Sequence, residues 1–295
     1  MKRDGHQVAD SPYLVPFDGS FRVKDAVTRP GKKLRDDDEN REAVRDAVDK
    51  MNDLQERLHA EKRAALLVVF QAMDAAGKDG TIRAVFSGLN PAGVNVRAFG
   101  VPSEEEVSHD FLWRVWQPLP ARGMIGVFNR SHYEEVLVVR VHPEFLGRQQ
   151  APRPKSLDRL WPQRYEAIRE MEQHLARGGT RIVKFWLNVS RDEQRKRFLA
   201  RAEEEKGHWK FKANDVRERG HWDSYMEAYE DALNATSRPW APWYAIPADD
   251  KKYMRRAVAE IVLGTLEQID PHYPELDAEA RAEMKVALAE LEKEG

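Results

Sequence analysis

Five consecutive apolar residues, Leu66-Leu67-Val68-Val69-Phe70, lead through Gln71 and Ala72 into a turn that contains Gly77 and Gly80. A run so short and so uniformly apolar suits a strand covered on both faces, as in a parallel sheet sandwiched between helices. Parallel neighbours cannot be joined by hairpins, so such a strand obliges the chain to supply crossover helices. Further apolar runs at 94–99, 124–128, 181–189 and 243–246 alternate with helix-like stretches at 78–89, 103–116, 156–177 and 250–269. The alternation predicts a three-layer α/β fold: a mainly parallel five-stranded sheet with helices on both faces.

The flanks read differently. Residues 1–40 lack periodicity, carry the Pro30-Gly31 turn signal and end in a charge run, so an N-terminal arm is expected there. From Arg41 onward Val44, Val48, Met51, Leu54 and Leu58 recur on one helical face. A catalytic domain is expected over 41–272. Residues 273–295 are expected to form an acidic, solvent-facing helix with Met284, Leu288 and Leu291 on one side. The stretch 137–153 fits helix or loop.

Composition excludes several chemistries. With no cysteine, the chain has no thiol nucleophile, no cysteine zinc site and no disulfide framework, which favours a cytoplasmic protein. Lys plus Arg number 48 and Asp plus Glu 50, a net charge of −2. That balance gives no global argument for nucleic-acid or membrane partners, so neither is expected, and any anion site must come from local clustering. Residues 1–10 are polar, and no stretch approaches the ~20 apolar residues of a membrane span.

Local clustering is found after the first strand. Ala72-Met73-Asp74-Ala75-Ala76-Gly77-Lys78-Asp79-Gly80-Thr81 occupies the strand-to-helix turn where backbone N–H groups and a helix N-terminus converge on phosphate. The strict phosphate-loop pattern has glycine where this chain has Ala72 and Ser or Thr where it has Asp79. Gly77-Lys78 alone would also fit an ordinary turn with a surface lysine. Asp74 changes the balance, because a carboxylate inside an anion cradle repels phosphate unless a cation or an acceptor group sits between them. It therefore reads as a magnesium ligand or as an aid in positioning the acceptor phosphate, while Lys78 screens the transferred phosphoryl group.

A second constellation, Asn129-Arg130-Ser131-His132-Tyr133-Glu134-Glu135, follows the third strand. Asn129 occupies a position that often holds a magnesium-binding Asp, and it offers a carbonyl oxygen or a partner for a metal-bound water. Arg130 can grip phosphate oxygens bidentately, which lysine cannot. After the fourth strand, 191–222 carries ten Lys or Arg against seven Asp or Glu. Its place in the order suits a lid closing over phosphates, with Lys210, Lys212, Arg217 and Arg219 as candidate contacts. His109 and His132 are expected to be hydrogen-bonded structural groups, and Trp113 and Trp116 core residues.

Taken in order, these motifs resemble the family-2 polyphosphate kinases over residues 61–270. The resemblance rests on 71–80 as quoted, on Asn90-Pro91-Ala92-Gly93-Val94, on Ser108-His109-Asp110-Phe111-Leu112-Trp113-Arg114 and on Gly126-Val127-Phe128-Asn129-Arg130-Ser131. It continues through His208-Trp209-Lys210-Phe211, Asp215, Arg219, Ala241-Pro242-Trp243-Tyr244 and Pro247-Ala248-Asp249. It implies a P-loop kinase-like fold with a helical lid over 191–222. The implied activity is phosphoryl transfer between inorganic polyphosphate and AMP, ADP or ATP, with guanine nucleotides as further candidates. The implied ion is magnesium, with manganese as its alternative, and the implied assembly a homodimer or homotetramer. Carried over residue by residue, Asp74, Lys78, Arg130 and Arg219 carry the reaction, and Ala75, Ala76, Gly77, Asp79 and Gly80 form the phosphate loop. Many members have Asp at the Asn129 position. The Asn form, with 131–137, resembles the subgroup that accepts both nucleoside mono- and diphosphates, where Glu134 and Glu135 bear on acceptor choice. The nearest rival is an ATP-dependent nucleoside monophosphate kinase, against which Asp79 counts. A non-catalytic polyanion-binding module would have no use for Asp74.

Overall fold

β1 (Ala65–Ala72) is buried at all eight positions, because strands and helices close on it from every side. β2 (Val94–Ala98), β3 (Ile125–Asn129), β4 (Thr180–Asn188) and β5 (Trp243–Pro247) complete a sheet of order β2-β3-β1-β4-β5 in which every pairing is parallel. Phe70 lies opposite Asn129 on one side and Phe185 on the other, so β1 and β3 end side by side. The turns after them therefore meet. This computed structural model describes residues 7–34, 36–149, 156–205, 208 and 213–293.

Eleven α-helices occur among the described residues: α1 (Asp37–Glu61), α2 (Lys78–Phe86), α3 (Glu104–Ser108), α4 (Trp113–Trp116), α5 (Val138–Val141), α6 (Leu157–Arg177), α7 (Arg191–Glu203), α8 (Ala213–Glu218), α9 (Trp222–Thr236), α10 (Lys251–Ile269) and α11 (Ala278–Leu291). The two-residue period of β4 sorts them into layers. Lys184 and Trp186 point to α6 and α9, where they meet Glu172 and Tyr229. Phe185 points the other way and stacks on Phe70, which in turn meets Phe86 of α2. α10 packs on α2 and β4, and α1 packs on α10. Met254, Val258, Val262 and Leu266 of α10, spaced by four, are all buried. The three-layer α/β fold is thus present.

Residues before α1 seal the far edge of the sheet. Val15 N–H donates to Trp243 O at 2.9 Å, Ala245 N–H donates to Tyr13 O at 2.8 Å, and Leu14 forms an antiparallel bridge with Tyr244. Val15 is fully buried, Tyr244 Oη donates to Ala9 O at 2.7 Å, and Asn188 Nδ2 donates to Ala26 O at 3.1 Å. An edge that would otherwise expose unpaired backbone groups is covered.

Four expectations need correction or detail. The helix expected over 103–116 is broken into α3 and α4, because His109 is extended and the Asp110 carboxylate accepts from Leu112 N–H in a local turn. Trp116 is 44% exposed and so is not core, while Trp113 is half-buried and stacks on His109 with ring centroids 4.1 Å apart. His132 is buried as expected of a structural group but not hydrogen-bonded: neither ring nitrogen has a partner, and Nε2 lies 3.9 Å from Glu172. Burial lowers its pKa, so it is neutral. Within 137–153, α5 is followed by a 3-10 turn at Pro143–Arg148. No helix among the described residues is long and apolar enough to cross a membrane.

Candidate active site

The loop between β1 and α2 is shaped by two left-handed residues. Ala75 has φ 61° and Gly77 φ 108°. At Gly77 a side chain would be strained by that φ, and its Cβ would lie 3.1 Å from Met254 Cε, so glycine is required there. Gly77 provides no side-chain cap, which leaves the first N–H groups of α2 open to an anion. Helix α7 holds the loop from behind. Gln194 Nε2 donates to Asp74 O at 2.8 Å, and Arg197 Nη1 donates to Ala76 O at 2.7 Å and Ala75 O at 3.2 Å. Because a trans peptide is planar, these grips turn the N–H groups of Ala75 and Gly77 the opposite way. Ala76 N–H closes the turn onto Met73 O.

Three side chains converge at the mouth. Lys78 is 8% exposed, and Nζ donates to Ala72 O at 3.0 Å. Burial, aided by nearby Arg130, lowers its pKa against the pull of Asp74, Glu134 and Asp79. Arg130 starts the turn after β3 in a left-handed conformation, φ 64°, with its N–H on Phe70 O. Its Nη2 donates to Asp74 Oδ1 at 2.8 Å and its Nη1 to Glu134 Oε2 at 3.3 Å. Glu134 above all, with Asp74, holds Arg130 firmly charged. Behind them the buried Gln71 amide, with its NH2 toward Glu134, donates to Oε1 at 2.8 Å and accepts from Ser131 N–H. Asn129 Nδ2 donates to Asp79 Oδ1 at 2.8 Å, which points the Asn129 carbonyl away from that carboxylate.

Around this mouth lies a cleft of about 760 Å³. Among the described residues seven Lys or Arg line it against four Asp or Glu, so its field favours an extended anion. Asp74, Ala75, Ala76, Gly77, Lys78, Asp79, Gly80, Asn129 and Arg130 all stand on its wall. Glu134 stands behind Arg130. Glu135 is turned away: it is 5% exposed and accepts from Arg164 Nη1 at 3.2 Å and Gln149 Nε2 at 2.6 Å. Arg219 lies off the wall, with Nη1 donating to Gln194 Oε1 at 2.5 Å and to Arg191 O at 3.1 Å. Arg217 is exposed on α8 and does not line the cleft. Lys210 and Lys212 lie outside the described residues.

Sequence reasoning missed the α7 pair and the basic residues that α2 and α10 bring to the wall, Arg83, Lys251 and Arg255. Lys251 and Arg255, four apart just beyond a strand end, were a legible signal. Asp74, Asp79 and Asn129 offer oxygen donors only, and no cluster of three His, Asp or Glu able to hold a metal occurs among the described residues. That donor set fits a hard divalent cation whose remaining ligands are phosphate oxygens and water.

The polyphosphate kinase 2 family model matches residues 33–274. An ADP-polyphosphate phosphotransferase of Rhodopseudomonas palustris is 52% identical over 244 residues, covering 82% of this chain and 84% of that protein. An AMP/ADP-polyphosphate phosphotransferase of Meiothermus ruber is 47% identical over 228 residues, covering 77% and 80%. The crystal structure of polyphosphate kinase 2 from Arthrobacter aurescens superposes with a TM-score of 0.85 at 36% identity, covering 96% of this chain and 98% of that one. With the carboxylate-bearing loop after β1, the paired strand ends and the basic cleft already in place, the chain belongs to the polyphosphate kinase 2 family and is a phosphotransferase acting between polyphosphate and nucleotides.

Proposed function

We propose that this enzyme phosphorylates both AMP and ADP from inorganic polyphosphate, with magnesium as its ion, by direct in-line transfer within the cleft. The observation that carries the reading is the Asp74–Arg130 pair at the cradle mouth: a carboxylate and a fork-shaped cation 2.8 Å apart beside a buried Lys78. An anion arriving there competes with Asp74 for Arg130 and leaves the carboxylate to face a cation or the acceptor phosphate. A divalent ion held by Asp74 and Asn129 would supply charge neutralisation between donor and acceptor phosphates.

The chain's own groups do the rest. The open amides of α2 and the loop bind the donor phosphates, and Lys78 and Arg130 face the phosphoryl group as charge shifts to the leaving oxygen. Arg219 joins them when the lid, residues 191–222 of a catalytic unit spanning 41–272, closes and excludes water. Asp74 orients the acceptor. Asn129 in place of Asp removes one negative charge beside the acceptor, which suits a diphosphate as well as a monophosphate. The name of the Meiothermus ruber relative agrees with that breadth.

The test is purified protein with long-chain polyphosphate, magnesium and AMP, with nucleotides separated over time and no ATP added. ADP followed by ATP is expected. ADP alone restricts the enzyme to monophosphates, and product formed only when ATP replaces polyphosphate moves it to the ordinary nucleotide kinases.

A further inference from the structure

The buried side chain of Gln194 bridges two parts of the site, the loop after β1 and the arginine that follows α8. It lies in the first turn of α7 and is 1% exposed. Its Nε2 donates to the carbonyl of Asp74, and its Oε1 accepts from Arg219 Nη1 at 2.5 Å. The direction of the amide is forced, because a carbonyl only accepts and a guanidinium only donates. The residue before Arg219 is fixed separately: Glu218 Oε2 accepts from Tyr225 Oη at 2.8 Å and pairs with His142 Nε2 at 2.8 Å. The backbone at Arg219 is thus anchored on the α5 and α9 side, and its guanidinium on the α7 side.

We infer that Gln194 is a positioning residue for phosphoryl transfer, setting the lid arginine Arg219 in register with the phosphate loop at Asp74. The inference rests on the proposal that Arg219 acts on the transferring phosphoryl group. One amide spanning both groups transmits a displacement of either to the other. Neither glutamate nor an apolar side chain can replace it, since glutamate would face the Asp74 carbonyl, and an apolar chain would take the Gln194 donor from that carbonyl and leave Arg219 Nη1 with Arg191 O alone. Small errors in such placement are felt in turnover more than in substrate binding.

The experiment is a double-mutant cycle on AMP phosphorylation from polyphosphate, with Gln194→Met, which keeps side-chain volume, Arg219→Ala and their combination. Gln194→Met is expected to lower kcat by about tenfold or more while KM for AMP stays within about twofold. In the Arg219→Ala background the same change should alter turnover by less than about twofold, because the group it positions is gone. An equal fold-loss in both backgrounds overturns the inference, as does a loss in KM alone. Wild-type turnover in Arg219→Ala instead overturns the role of Arg219, a separate result. If Arg219→Ala is too slow to measure, hydrogen exchange over 213–221 in the ligand-free protein decides. Faster exchange in Gln194→Met than in wild type supports the coupling, and equal exchange overturns it. Melting temperatures exclude misfolded variants, and Gln194→Asn, which keeps the amide but shortens it, replaces Gln194→Met if that variant does not fold.

Discussion

Lys78 and Lys184 are both shielded from water, yet the shells around them differ in kind. Lys184, in the middle of β4, donates to Glu172 Oε2 at 2.6 Å, Tyr133 Oη at 2.8 Å and Thr236 O at 3.0 Å, which uses all three ammonium hydrogens. Lys78, at the cleft, makes one hydrogen bond among the described residues, to Ala72 O. A buried cation whose donors are satisfied internally fixes the fold. One left short of acceptors at the mouth of a cleft keeps its charge for a ligand. Burial lowers the pKa of both, to about 8 at Lys184. The perturbation therefore does not tell the lysine proposed to act on phosphate from the structural one. Their acceptor sets do.

The widest gap between the two sites should appear on substituting each lysine by methionine. Lys78→Met is expected to cut polyphosphate-dependent turnover by about 10³-fold, as removal of a positioned charge-stabilising donor does, with no loss of melting temperature. A variant that keeps wild-type turnover would place Lys78 with the structural group. Within the cleft, Arg130→Lys should lower turnover by about 10²-fold, because a single ammonium cannot bridge Asp74, Glu134 and a phosphate as the guanidinium fork can. Equal activity in that variant would remove the fork from the mechanism.

Lys184→Met should do the reverse of Lys78→Met: destabilise the protein by about 3–5 kcal/mol in urea unfolding, because Glu172 is left buried without its cation. Adding Glu172→Leu should recover most of that loss, and failure to recover would show that the pair is not the source. The smallest effect expected is on acid stability. Burial pushes the Glu172 carboxyl up, but the Lys184 ammonium beside it outweighs burial and holds the group below its usual 4.5 in the folded chain. Ionised Glu172 therefore contributes stability above that value, and the contribution is lost as pH falls through the lower folded pKa. Wild-type melting temperature should drop more steeply in that window than that of Lys184→Met/Glu172→Leu. Parallel curves would dissociate acid sensitivity from this cluster.

The contrast also explains what the sequence made legible. β1, its turn and the end of β3 could be read because each candidate group sits within a few residues of an apolar run that fixes its place: Asp74 and Lys78 after one strand, Asn129 and Arg130 after another. Gln194 and Arg197 could not, since the first turns of α7 read as a solvated charged face until docking buries them. The pairing of Lys184 with Glu172 was hidden for a related reason: Glu172 belongs to α6 and Lys184 to β4, and only packing of the layers joins them. β2 was legible as a strand, but its exposure was not: it is the outermost strand beside β3, and Val96 is 49% exposed. Apolar runs report where a strand forms before they report how many neighbours it has.

The segment that seals β5 has a consequence for how the protein is made. Tyr13 meets Tyr253 across 240 residues of sequence, and Ala9 meets Tyr244 across 235. During synthesis the earliest of these residues leave the ribosome long before their partners exist, so the contact closes only after nearly the whole domain has emerged. Contacts of such long sequence separation close late in folding. Sheet assembly is thereby tied to near-complete translation, and a chain stalled before residue 243 carries both an unmatched N-terminal segment and a raw strand edge at β4.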